Sequence, residues 1–107
     1  MSKSLIILCS NGNAQSTVFQ RAEQEFLKEL VGVVKRGKIA KGTQVKTFSS
    51  PDVSLPNPND KAGTQTFLTM LLLQLNIDPW ASNVNWEAEL YKEHGYTFLV
   101  YFLTGNF

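Results

Sequence analysis

The chain of 107 residues carries one thiol, Cys9, and one imidazole, His94. A single cysteine rules out an intramolecular disulfide and a cysteine-built zinc site, and a single histidine rules out a two-histidine metal site. No metal-ligand set and no cofactor motif is legible, so none is expected. Cys9 is the candidate catalytic residue. It ends the apolar run Leu5-Ile6-Ile7-Leu8-Cys9 and is followed by Ser10-Asn11-Gly12-Asn13-Ala14-Gln15-Ser16-Thr17. A thiol at the end of a buried strand, beside a helix N-terminus, can have a lowered pKa and act as a nucleophile or phosphoryl acceptor. The plainer alternative is a small core residue, the usual state of a free cysteine. A phosphatase loop of the cysteine-x5-arginine type is excluded, because Gln15 stands where the arginine belongs. A CxxC redox pair is excluded because Gly12 occupies the second position.

The stretch Leu8-Cys9-Ser10-Asn11-Gly12, with Ser16-Thr17 beyond it, resembles the phosphocarrier B subunits of sugar phosphotransferase systems. In that family a cysteine after the first strand accepts phosphate in a loop of this kind, so the resemblance implies a phosphoryl-acceptor role for Cys9 alone. The chain departs from the family in the longer gap between Gly12 and Ser16-Thr17 and in its C-terminal hairpin, which stands in place of further βα units.

The loop suggests a second chemistry that does not need the thiol. Ligands of open α/β sheets gather outside the carboxyl ends of parallel strands, where the strand order reverses. Ser10, Asn11, Gly12, Asn13, Gln15, Ser16 and Thr17 are small and polar and lead into a helix N-terminus, whose free N–H groups and dipole favour an anion. Ser49, Ser50 and Asp52, after the second strand, are the expected opposite wall. The competing explanation is that Asn, Gly and Ser populate any strand-to-helix turn.

Other polar and aromatic residues offer less. Glu87 and Glu89 share a face of one strand, roughly 7 Å apart. Paired carboxylates can do acid–base work or hold a cation, but charges on an edge strand also serve to block aggregation. His94 falls in a hairpin turn with no partner visible in the sequence. Lys35, Arg36, Lys38 and Lys41 read as a solvated helix end, the alternative being a phosphate-contact patch with too little charge to bind nucleic acid without help. Trp80, Trp86, Tyr91, Tyr96 and Tyr101 can stack on bases, though in so hydrophobic a chain they belong more naturally to a core.

The elements that position these residues follow from periodicity. Leu5 to Cys9 is apolar throughout, as in a strand buried on both faces. Phe19, Ala22, Phe26, Leu30 and Val33 recur at helical spacing, which predicts a helix over about 17–36, opened by a Thr17–Gln20 capping box and closed near Gly37. Thr43 to Ser49 reads as a more polar second strand. Residues 50–60 hold three prolines and are a loop. A second helix, begun by Asn59, Asp60 or Thr64 and ended near Asn76, carries Phe67, Leu68, Met70, Leu71, Leu72, Leu73 and Leu75, and is expected to be buried on more than one side. Val84, Trp86, Ala88 and Leu90 alternate with Asn85, Glu87, Glu89 and Tyr91, as in a half-buried strand. Lys92-Glu93-His94-Gly95 makes a hairpin connection to a strong apolar strand, Tyr96 to Leu103.

The predicted fold is therefore one α/β domain over residues 1–107, of order βαβαββ, with two helices and a C-terminal β-hairpin. The doubly apolar first and fourth strands belong at the centre of a mixed four-stranded sheet of order 2-1-4-3. A thioredoxin-like sheet has the same element order but usually makes the third strand more central than the fourth, which the alternation argues against.

Composition agrees. Hydrophobic residues at 43% and charged residues at 18% suit a globule. A net charge of +1 gives no general case for nucleic acid, so a nucleic-acid partner is not expected. The four-residue run Leu5–Leu8 is too short for a signal-peptide core or a membrane span, which makes the cytoplasm the default compartment and a membrane partner unexpected. Leu99, Tyr101, Leu103 and Phe107 suggest an apolar stripe left open in one subunit, and from it a homodimer; the rival explanation is that the second helix, apolar nearly all round, covers that face.

Three functions are compatible with these residues. One is a small domain binding an anionic, phosphate-bearing or nucleotide-like ligand at residues 9–17. A second is an enzyme or phosphocarrier using Cys9. The third is a non-catalytic interaction module acting through the aromatic C-terminal hairpin. The absence of a general-base constellation favours the first.

Overall fold

A computed structural model of the chain describes residues 3–33, 43–78 and 83–106. The elements are β1 (Lys3–Ser10), α1 (Thr17–Val33), β2 (Gln44–Ser49), α2 (Lys61–Gln74), β3 (Asn85–Glu93) and β4 (Tyr96–Gly105). The sheet has the order β2-β1-β4-β3. β1 runs parallel to β2 and antiparallel to β4, and β3 and β4 form an antiparallel hairpin. This is the α/β arrangement that the apolar patterning predicts. The expected basic cluster Lys35, Arg36, Lys38 and Lys41, the helix end at Gly37, and Trp80 and Phe107 lie outside the described residues.

The two central strands are apolar on both sides because each side has its own helix. Leu5, Ile7 and Cys9 of β1, with Leu99, Tyr101 and Leu103 of β4, pack under Leu68, Leu71 and Leu72 of α2. Ile6 and Leu8, with Phe98 and Val100, pack under Phe19, Phe26 and Leu30 of α1. Side chains of a strand alternate between faces, so one unbroken apolar run feeds both cores. Phe26 stacks on Phe98 at 4.6 Å between ring centroids, and Phe19 on Phe98 at 6.2 Å. On the other face Trp86 meets Tyr101 edge-on at 5.9 Å. The Tyr101 hydroxyl donates to the Thr64 carbonyl at 2.8 Å. That bond meets the need of a buried phenol for a partner.

Four expectations change here. The α1 cap is Ser16 rather than Thr17: its Oγ accepts the Phe19 N–H at 3.3 Å and its carbonyl accepts the Gln20 N–H at 2.9 Å. Gln20 bonds the Ala14 carbonyl instead of closing a capping box. α2, capped by Asp60 through the Gly63 N–H, buries only one stripe. It is a surface helix, and its opposite side leaves Met70 55% and Leu73 60% exposed. The β3 alternation reverses near the hairpin. Leu90 is 39% exposed, while Tyr91 packs on Phe26 of α1 at a centroid distance of 5.3 Å. Finally, Leu99, Tyr101 and Leu103 are buried under α2. The stripe whose exposure suggests a homodimer is therefore covered within one subunit at these three positions.

The hairpin turn has two residues, His94 (φ 54°) and Gly95 (φ 80°), bracketed by the pair Glu93 and Tyr96. Positive φ at both central positions is the type I′ turn, whose twist matches that of the strands. Among the described residues no helix is long and apolar enough to cross a membrane.

Candidate functional site

β1 and β2 stop together. Their last residues, Ser10 and Ser49, are in register, and the Ser50 N–H donates to the Ser10 carbonyl at 3.1 Å. This bond pins the segment after β2 against the start of the loop after β1. The structure thus brings Ser10 together with Ser49 and Ser50 at the carboxyl end of the parallel pair.

Much of the loop's polar chemistry holds the loop itself. The buried Ser10 hydroxyl accepts the Gly12 N–H at 3.1 Å. Asn13 Oδ1 accepts the Gln15 N–H at 2.9 Å, and the Asn13 carbonyl accepts the Ser16 N–H at 2.9 Å. Asn11, Asn13, Gln15 and Thr17 are exposed, and Ser16 is half-buried. The N–H groups of Thr17 and Val18 open α1 without a partner among the described residues, as expected of a helix start. Ser50 Oγ accepts the Asp52 N–H at 3.4 Å, leaving an exposed carboxylate on the β2 side of the rim, the wrong sign for an anion. Residues 9–17 contain no cation.

Gly12 is required by packing. A Cβ there would lie 2.1 Å from Cδ1 of Phe19. That ring cannot move aside, because it is buried between Tyr96, edge-on at 5.1 Å, and Phe98. Gly12→Ala is expected to cost about 2–3 kcal/mol by overpacking, read as a lowered urea midpoint with an unchanged m-value.

Cys9 is set apart from this loop. It is fully buried on the α2 face, while the α1 N-terminus lies on the other face of the sheet. The positive end of α1 therefore does not face it. Burial pushes its thiol up to about 12, because a thiolate there would lose its hydration. The sequence places Cys9 beside a helix start. The pleat turns its side chain away from it.

The remaining candidates sit at the β3 edge. Glu87 and Glu89 are exposed, as a solvated edge requires. Tyr91 donates its hydroxyl to Glu89 Oε2, and burial followed by this carboxylate raises the Tyr91 phenol to about 12. Pro58, Lys61, Trp86, Glu87, Ala88 and Glu89 line an open groove of about 350 Å³ at this edge. His94, without a partner in the sequence, has one in the fold: its Nε2 lies 3.9 Å from Oε1 of Glu29 on α1. Sequence reasoning missed this contact because Glu29 is one of several charged residues on the helix's outer side. No protein-family model matches the chain, and neither a curated protein nor a solved structure matches it.

Proposed function

We propose that this chain is a small ligand-binding domain that takes an anionic, phosphate-bearing or nucleotide-like ligand in the loop of residues 9–17. The supporting observation is the Ser50-to-Ser10 bond. It holds two polar segments side by side at the strand-order reversal, next to the open N–H groups of α1. Exposed Asn11, Asn13, Gln15 and Thr17 supply the polar rim, with Ser49 and Ser50 across from them. The alternatives have less to draw on. Cys9 is packed under α2 as a protonated thiol, and the Phe98, Leu99, Tyr101 and Leu103 side chains of β4 are all buried in the two cores.

Thermal unfolding in the presence of inorganic phosphate, mononucleotides, dinucleotides and cyclic oligonucleotides tests the proposal. A ligand at ten times its Kd stabilises the native state by about 1.4 kcal/mol, enough to raise the midpoint by roughly 5 °C in a domain of this size. Amide resonances of Asn11 to Val18 should shift with the same ligand. No midpoint change at millimolar concentration of any of these compounds would overturn the assignment.

A further inference from the structure

Glu29 of α1, Glu93 at the end of β3 and His94 in the hairpin turn converge at the edge of the α1 face. One ligand atom from each lies within 4.8 Å of the other two. Among the described residues neither carboxylate is paired with a lysine or arginine; His94 is the partner of Glu29. Two carboxylates drawn together beside an imidazole repel one another, and a divalent cation removes that repulsion.

The supports of these groups are rigid. Glu29 follows Phe26 on α1 by close to one helical turn. Phe26 is locked against both hairpin strands, on Tyr91 at 5.3 Å and on Phe98 at 4.6 Å. The turn holds His94 at φ 54°. Asn, Asp and His are the non-glycine residues that adopt that conformation most readily, so the turn fixes the imidazole's backbone at the end of the hairpin.

We propose that Glu29, Glu93 and His94 form a binding site for a divalent transition-metal ion of the zinc class, clamping the β3–β4 hairpin to α1. Ligands bound tetrahedrally at about 2.0–2.1 Å from zinc stand roughly 3.3–3.4 Å apart. The 3.9 Å between His94 Nε2 and Glu29 Oε1 thus closes with a small rotation of two exposed side chains. One imidazole and two carboxylates give three protein ligands, leaving a coordination position to water. The imidazole selects zinc-like ions over calcium and magnesium, which prefer all-oxygen shells.

The test uses tag-free protein and zinc chloride near neutral pH. Calorimetry should show one zinc ion bound per chain, with calcium giving no heat. His94 is the only histidine, so its imidazole NMR signals report the site directly and should shift with zinc and not with magnesium. His94→Asn keeps a residue suited to the turn and should weaken zinc binding at least about tenfold. Glu29→Gln should do the same, while Cys9→Ser should leave the affinity unchanged. Zinc binding that survives both His94→Asn and Glu29→Gln overturns the proposal, as does the absence of heat and of an imidazole shift at millimolar zinc. An imidazole shift that Glu29→Gln leaves untouched also overturns it, since that describes a lone surface histidine.

Discussion

Phe98→Ala should lower the folding stability by about 3–5 kcal/mol, a large share of the roughly 5–15 kcal/mol a domain of this kind has. Phe98 sits on a central strand and is fully buried. Its ring is stacked by Phe26 and Phe19 of α1, so truncation empties the middle of that core. The neighbours cannot refill the space, because Phe19 is held by Tyr96 and Phe26 by Tyr91. Urea unfolding followed by circular dichroism measures the loss. The control is Val18→Ala, on the same helix as Phe19 but 68% exposed. It should change stability by less than about 0.5 kcal/mol. A Phe98→Ala loss no larger than that of the control would mean that α1 does not pack on the sheet as described.

Stability should also collapse in alkali, and Cys9 sets where the fall begins. Its thiol has an ordinary value of 9.0 and is raised to about 12 by burial. Below pH 9 both the folded and unfolded chains hold this proton, and Cys9 contributes no pH dependence. Between pH 9 and 12 the unfolded chain releases the proton while the folded chain keeps it. Stability then declines by about 1.4 kcal/mol per pH unit, for a total of up to about 4 kcal/mol. Tyr101, whose phenol burial also raises, steepens the fall above pH 10. Urea midpoints across this range measure the slope, and Cys9→Ala should flatten its first unit. At neutral pH iodoacetamide should label the native thiol far more slowly than free cysteine, at a rate that denaturant increases. Fast labelling of native protein together with a flat alkaline profile would place the thiol at the surface and restore the nucleophile reading.

How far the sequence can be read depends on whether a feature is local. The sheet order is legible because Leu5 to Cys9 and Tyr96 to Leu103 have almost no polar side, and only a central strand with cover on both faces accommodates that. The hairpin is legible from a glycine-ended connection between two strand patterns. α2 misleads because Met70 and Leu73 are as apolar as Leu68 and Leu71, and composition does not tell which stripe meets the sheet. Cys9 misleads for a related reason. It shares strand parity with Leu5 and Ile7, but which face receives α1 is a tertiary fact, and that fact separates the thiol from the helix start. The approach of Glu29 to His94 is beyond reach altogether. It requires the position of α1 along the sheet and the register of β3 on β4 to be known together.

The pairing of β1 with β4 runs the full length of β1, from Lys3 opposite Gly105 to Ser10 opposite Phe98. These strands lie at the two ends of the described chain, so the ladder at the centre of the domain joins the residues farthest apart in sequence. Contacts of such high order slow folding, because the loop entropy of nearly the whole chain is lost before the pairing rewards it. On the ribosome the βαβ half emerges first, with one edge of β1 unpaired and its α2-facing side chains bare. Until β4 arrives, that edge is a template for any other extended strand. The domain cannot ripen by halves, and the nascent chain stays open to mispairing until its fourth strand has left the exit tunnel.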